Sequence, residues 1–95
     1  MDKSRPAVVV SSDAFGILPI KMVAPITEWK AHFRNNIWHV RVDPDQHNGL
    51  TKSGAIDALQ LRTVDFSRFT ERLGYLSAAK MEEVVAAIAV VIEYQ

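Results

Sequence analysis

The valine-rich run at residues 7–11 follows a proline and stops at Ser-Ser-Asp, a turn or cap signal, which predicts a buried strand. Pro6 has no N–H to donate, which suits the first position of such a strand. Residues 12–18 are expected to hold one helical turn, capped by Ser12 or Asp13 and stopped at Gly16. Residues 19–26 read as a second strand with Ile20, Met22, Ala24 and Ile26 on one face. The polar and aromatic stretch 27–36 reads as a loop. Alternation resumes over 37–42, with Trp38, Val40 and Val42 facing a core and His39 and Arg41 facing solvent. Residues 43–50 are dense in turn formers. Residues 55–59 and 59–64 read as two short strands or one bent strand, and 66–73 fits strand and helix equally.

The last segment changes period. Ser77 is placed to cap a helix in which Met81, Val84, Val85, Ile88, Val91 and Ile92 recur at helical spacing. Five alanines between residues 78 and 89 raise its helix propensity. Trp38 and the 84–92 face are read as core. Short strands followed by one terminal helix predict a small, mostly β barrel or roll with a C-terminal helix.

Composition narrows the choices. At 95 residues the chain is expected to form a single domain over 1–95, and its 48% apolar content is too high for a disordered tail. The longest apolar run, residues 84–92, is half of a bilayer span. The first residues lack a signal-peptide core, so the expected setting is cytoplasmic. With no cysteine, thiolate metal sites and cysteine nucleophiles are excluded. The net charge is zero, yet residues 1–41 carry +3 and residues 42–95 carry −3, so an anion-binding surface is expected from the first half.

Most familiar chemistries find no support. His32, His39 and His47 have no metal-ligand spacing and read as ordinary exposed residues. No glycine-rich phosphate loop or serine-nucleophile elbow occurs. Asp43 and Asp45 sit inside turn-forming sequence, where a turn role is expected. What remains lies at strand edges. If the first two strands pair antiparallel, Arg5 and Thr27 meet at one end of the sheet, with Trp29 and Lys30 just beyond. A guanidinium, a hydroxyl, an ammonium and an indole suit a phosphodiester and its base. Taken alone, Arg5 and Thr27 are also ordinary edge residues.

The segments SRPAVVVSS (4–12), MVAPITEWK (22–30), GAIDALQLRTVDFSRF (54–69) and ERLGYLSAAKMEEV (71–84) resemble, in order, the MazF/PemK toxins. These are the ribonuclease halves of bacterial toxin–antitoxin pairs. The resemblance implies a small SH3-like barrel of the PemK/CcdB-like type, a homodimer, and inhibition by a cognate antitoxin. DNA would be met only through the antitoxin complex. It further implies cleavage of single-stranded RNA without a metal or other cofactor. The family's catalytic pair falls on Arg5 and Thr27, and Gln60 falls on a position that contacts RNA bases. Arg62 beside it is a further candidate whose ordinary role is a surface salt bridge. Family members carry a GDIW-like first strand and a loop before the RP motif, where this chain has only residues 1–4, so a barrel lacking that strand, with one open sheet edge, is expected. The alternatives are a shortened relative that binds antitoxin, partner toxin or RNA without cleaving, a gyrase-poisoning toxin on the same fold, and a small β domain with no enzymatic role.

Overall fold

The computed structural model describes residues 5–11 and 19–93; the helical turn expected over 12–18 lies outside them. Five strands, β1 (Ala7–Val9), β2 (Ile20–Glu28), β3 (His39–Val42), β4 (Gly54–Asp57) and β5 (Arg62–Asp65), precede one helix, α1 (Ala78–Glu93). All pairings are antiparallel, in the order β1-β2-β4-β3, with β5 also on β2.

The nine-residue β2 organises the sheet. One edge takes β1, with Ala24 opposite Val8. The other takes β4 beside residues 26–28 and β5 beside residues 20–23. β4 and β5 are thus one strand broken by the 3₁₀ turn Ala58–Gln60, the bent strand that the sequence allowed. Asp57 caps that turn by accepting the Leu59 N–H at 3.0 Å. Among the described residues nothing pairs with the outer edge of β1.

One sheet face is the core. Val8, Ala24, Ile26, Val40, Val42 and Ile56 meet Val84 and Ala87 of α1. Ser77 caps the helix as expected, its Oγ accepting the Lys80 N–H at 3.1 Å. Lys80 in turn donates from Nζ to the Arg41 carbonyl at 2.9 Å, tying the helix start to β3. Burying Val84 completely stabilises this docking by about 1.5–3 kcal/mol.

Several expectations need correction. β1 is a half-buried edge and not a buried strand, because only Val8 faces the core while Ala7 and Val9 are exposed. Ile20 and Met22, expected on one face with Ala24 and Ile26, are exposed near the start of β2, and Val85 and Ile92, expected in the core, are exposed on α1. The helix stripe that packs is Met81, Val84, Ala87, Ile88 and Val91. Residues 27–36 are not a loop throughout, since β2 continues to Glu28 and Ala31–Asn35 forms a 3₁₀ helix. Within the ambiguous 66–73 stretch, Phe66–Arg68 forms a 3₁₀ turn. The 43–50 segment is the expected turn, with Asp45 Oδ1 accepting the N–H groups of His47 at 2.7 Å and Asn48 at 2.8 Å.

Candidate active site

The opposite sheet face carries the polar chemistry. The β1–β2 register runs Ala7 to Pro25, Val8 to Ala24 and Val9 to Val23. It continues beyond the strand end, where the Ile26 N–H donates to the Pro6 carbonyl at 3.0 Å. Counting one residue further along both chains puts Arg5 across from Thr27, which in a regular ladder is a non-hydrogen-bonded position with both side chains toward one face. The antiparallel pairing of the first two strands that the sequence reading assumed is present.

The same cross-strand row continues from Thr27 to Ala55 and then Arg41. Ala55 is small and fully buried, a covered floor between Thr27 and Arg41. At about 4.8 Å per strand, Arg41 lies roughly 10 Å from Thr27. Its guanidinium sits over the Trp29 ring, 5.2 Å from the centroid, a cation–π contact. Trp29 meets Phe33 edge-on at 5.9 Å, and Phe33 stacks on His39 at 4.0 Å. The 3₁₀ helix Ala31–Asn35 therefore has a purpose in the site: it lays Phe33 over the sheet.

His39 departs from the exposed position expected of it. Its side chain is only 8% exposed, and Nε2 lies 3.7 Å from Asp57 Oδ2, itself largely buried. Alternation along 37–42 gave the correct face but not the aromatic lid that covers it. His47 is exposed as expected and hydrogen-bonds the Tyr75 hydroxyl through Nδ1 at 3.0 Å.

The remaining candidates divide. Trp29 and Arg5 join the row. Lys30 is exposed and 4.0 Å from Glu28, which also binds Lys52 at 3.3 Å, so its charge is partly balanced. Gln60 is exposed and held against this face by Asp57, with Nε2 donating to Oδ2 at 2.8 Å. Arg62 pairs with Val23, four residues along β2 from Thr27 and so about 13 Å away, on the same face but apart from the row. Arg41, Phe33, His39 and Asp57 were missed as site members. The signal for Arg41 was its alternation with Val40 and Val42; nothing local marks the other three.

Electrostatics at the rim are ordered by hydrogen bonds. The Ser53 hydroxyl and then the Arg41 guanidinium hold the Asp43 carboxyl below its ordinary value. Arg41 Nε donates to Asp43 Oδ1 at 3.0 Å while the guanidinium lies over the Trp29 ring. Among the described residues, no cluster of three or more His, Cys, Asp or Glu side chains is arranged to hold a metal ion. No helix among them is long and apolar enough to cross a membrane.

Solved structures share this architecture. The Mycobacterium tuberculosis toxin MazF-mt6 superposes with a TM-score of 0.81 at 25% identity, covering 100% of this chain and 92% of that one. The MazE–MazF structure (Form III) from Deinococcus radiodurans gives 0.74 at 26% identity, covering 96% and 87%. A mycobacterial endoribonuclease in complex with its cognate antitoxin gives 0.77 at 20% identity, covering 96% and 82%, a likeness of fold. No curated protein sequence matches the chain. The antiparallel sheet closed by a C-terminal helix is thus the fold of MazF toxins. The model of the PemK-like, MazF-like toxins of type II toxin–antitoxin systems matches residues 1–92, and the chain belongs to that family.

Proposed function

We propose that this chain is the toxin of a toxin–antitoxin pair and cleaves single-stranded RNA through attack of the RNA's own 2′-hydroxyl on the adjacent phosphorus. What supports this reading is the β1–β2 register, which counted one residue further sets Arg5 across from Thr27, and the row from Thr27 through Ala55 to Arg41, whose guanidinium lies over Trp29. Family membership and the endoribonuclease among its structural neighbours support it.

The 2′-oxygen bonds to phosphorus while the bond to the 5′-oxygen breaks, leaving a 2′,3′-cyclic phosphate and a 5′-hydroxyl. Charge accumulates on the non-bridging oxygens of the phosphorane. The Arg5 guanidinium offers paired N–H donors to them, and the Thr27 hydroxyl offers a third. A guanidinium is a donor only, so Arg5 stabilises charge and does not take up the abstracted proton. The 2′-hydroxyl proton and the one gained by the leaving 5′-oxygen are exchanged with other groups. Trp29 supplies a stacking face for a base, and Lys30, Gln60 and Arg62 extend the contact. Because the nucleophile is the substrate's own hydroxyl, this route calls for no metal or cofactor.

Partner binding has its own support. A groove of about 250 Å³ between the sheet and α1 is lined by Val10, Met22, Leu61, Val85, Ile88 and Ile92. With Ile20, on the same face of β2 as Met22, also exposed, the surface suits burial against a second copy or an antitoxin. A homodimer by light scattering at micromolar concentration is expected, and a monomer would count against it. The nuclease reading is tested by incubating the purified chain with a long single-stranded RNA in EDTA. Discrete fragments with 5′-hydroxyl ends are expected, and are lost in Arg5→Ala. An intact RNA with a folded protein would favour a relative that binds without cleaving.

A further inference from the structure

The turn that carries Gln60 holds its side chain in one orientation. Gln60 Nε2 donates to Asp57 Oδ2 at 2.8 Å, while Asp57 Oδ1 accepts the Leu59 N–H at 3.0 Å. His39 Nε2 approaches Oδ2 at 3.7 Å. Asn36 Nδ2 stands 3.1 Å from His39 Nδ1, and an amide nitrogen has only hydrogens to offer. The other ring nitrogen, Nε2, is the edge of His39 that faces Asp57. Two N–H donors are thus held by the two oxygens of one carboxyl group, with the His39 ring beside it.

A glutamine amide free in solvent can turn either its carbonyl or its NH2 end toward a ligand. Here the NH2 end is committed to Asp57, and the carbonyl oxygen is the end left for solvent on the exposed side chain. We propose that Asp57 is a positioning residue that fixes Gln60 as a hydrogen-bond acceptor toward RNA. The site then prefers, at one nucleotide, a base whose edge presents an N–H to Gln60. This rests on the RNA-cleavage reading and adds to it the polarity of one base contact.

The test maps cleavage ends on a random-sequence RNA pool for the wild type and three variants. Gln60→Ala identifies the nucleotide position that depends on Gln60. Asp57→Asn is expected to lower the preference at that same position about tenfold, the worth of one hydrogen bond, because an asparagine accepts or donates and frees the Gln60 amide to turn. The double exchange Asp57→Asn with Gln60→Glu is expected to recover the wild-type preference, since the introduced asparagine amide donates to a carboxylate that again presents oxygen outward. An unchanged preference in Asp57→Asn, or a cooperatively melting double variant that fails to recover it, overturns the proposal. Should Asp57→Asn fail to fold, the wild type still decides. Its Gln60 side-chain amide hydrogens are expected to exchange with solvent at least threefold more slowly than those of exposed Gln46 in NMR saturation transfer, and equal rates overturn the fixed orientation. A wild type that leaves the pool intact overturns the nuclease reading itself, an outcome separate from cleavage that proceeds with preferences indifferent to Asp57.

Discussion

Replacing Thr27 with valine separates catalysis from structure more cleanly than any other single change in the site. Thr27 is half-buried, with Arg5 on one side and the fully buried Ala55 on the other. Valine keeps its shape and β-branching, so the strand backbone and the floor of the row are preserved. The hydroxyl makes no side-chain hydrogen bond among the described residues, and no buried polar atom there is left without a partner. No protein contact is lost, and the stability change is expected within about 0.5 kcal/mol. For a domain of this size that moves Tm by about 2–4 °C. The catalytic cost is of another order. Removing one preorganised donor aimed at a developing oxyanion costs about 2.7–4 kcal/mol, or 10²–10³ in rate. The assay is single-turnover cleavage of a short RNA spanning one mapped site, alongside a thermal melt of the same preparation. A variant that melts with the wild type and cleaves within threefold of its rate would refute the assignment of Thr27 to the reacting phosphate.

Other expectations follow from the core and the turns. Val84→Ala is expected to cost about 2–3 kcal/mol, from two lost methyl groups and the cavity left behind, read as a lower urea midpoint at unchanged slope. Gly54→Ala places a methyl 2.6 Å from Ile26 Cγ2, against the core, and is expected to destabilise by about 1–3 kcal/mol in the same assay. Ser77→Ala removes the cap on the Lys80 N–H and is expected to cost about 1 kcal/mol. Stability also depends on acid. Asp43 is held low mainly by the Ser53 hydroxyl, Asp45 by the His47 and Asn48 N–H groups, and Asp65 by Ser67. A lowered carboxylate stabilises the fold fully above its ordinary value of 3.8 and loses that contribution as pH falls through the folded value. Urea midpoints should therefore be insensitive to these three groups above about pH 5 and fall below pH 3.8, with a shallower fall in Asp45→Asn.

Features set by short-range rules could be read from the chain. The Ser77 cap, the Asp45-centred turn and the alternation of β2 and β3 depend on neighbours within four residues. Bringing Arg5 and Thr27 toward the same end of the sheet needed one further step, antiparallel pairing of consecutive strands, and that pairing is present. Features made by distant contacts could not be read in this way. Phe33 is ordered by stacking on His39, which belongs to a different element, so 27–36 showed only its polar and aromatic composition. Asp57 resembles any strand-end acid until His39, from the neighbouring strand, is brought to it. Helical spacing alone assigned Val85 and Ile92 to the core, but the sheet meets the helix along Val84 and Ala87 and leaves the other two at the groove.

The central claim is that the substrate's own 2′-hydroxyl is the nucleophile at a phosphate held by Arg5 and Thr27. Its most direct measurement uses an oligonucleotide spanning a mapped cleavage site, prepared as RNA and with a single 2′-deoxy substitution at the scissile nucleotide. The wild-type chain is expected to cut the RNA to a 2′,3′-cyclic phosphate and a 5′-hydroxyl in EDTA, and to leave the substituted strand intact. Cleavage of the substituted strand at a comparable rate, or product ends bearing a 5′-phosphate, would contradict it.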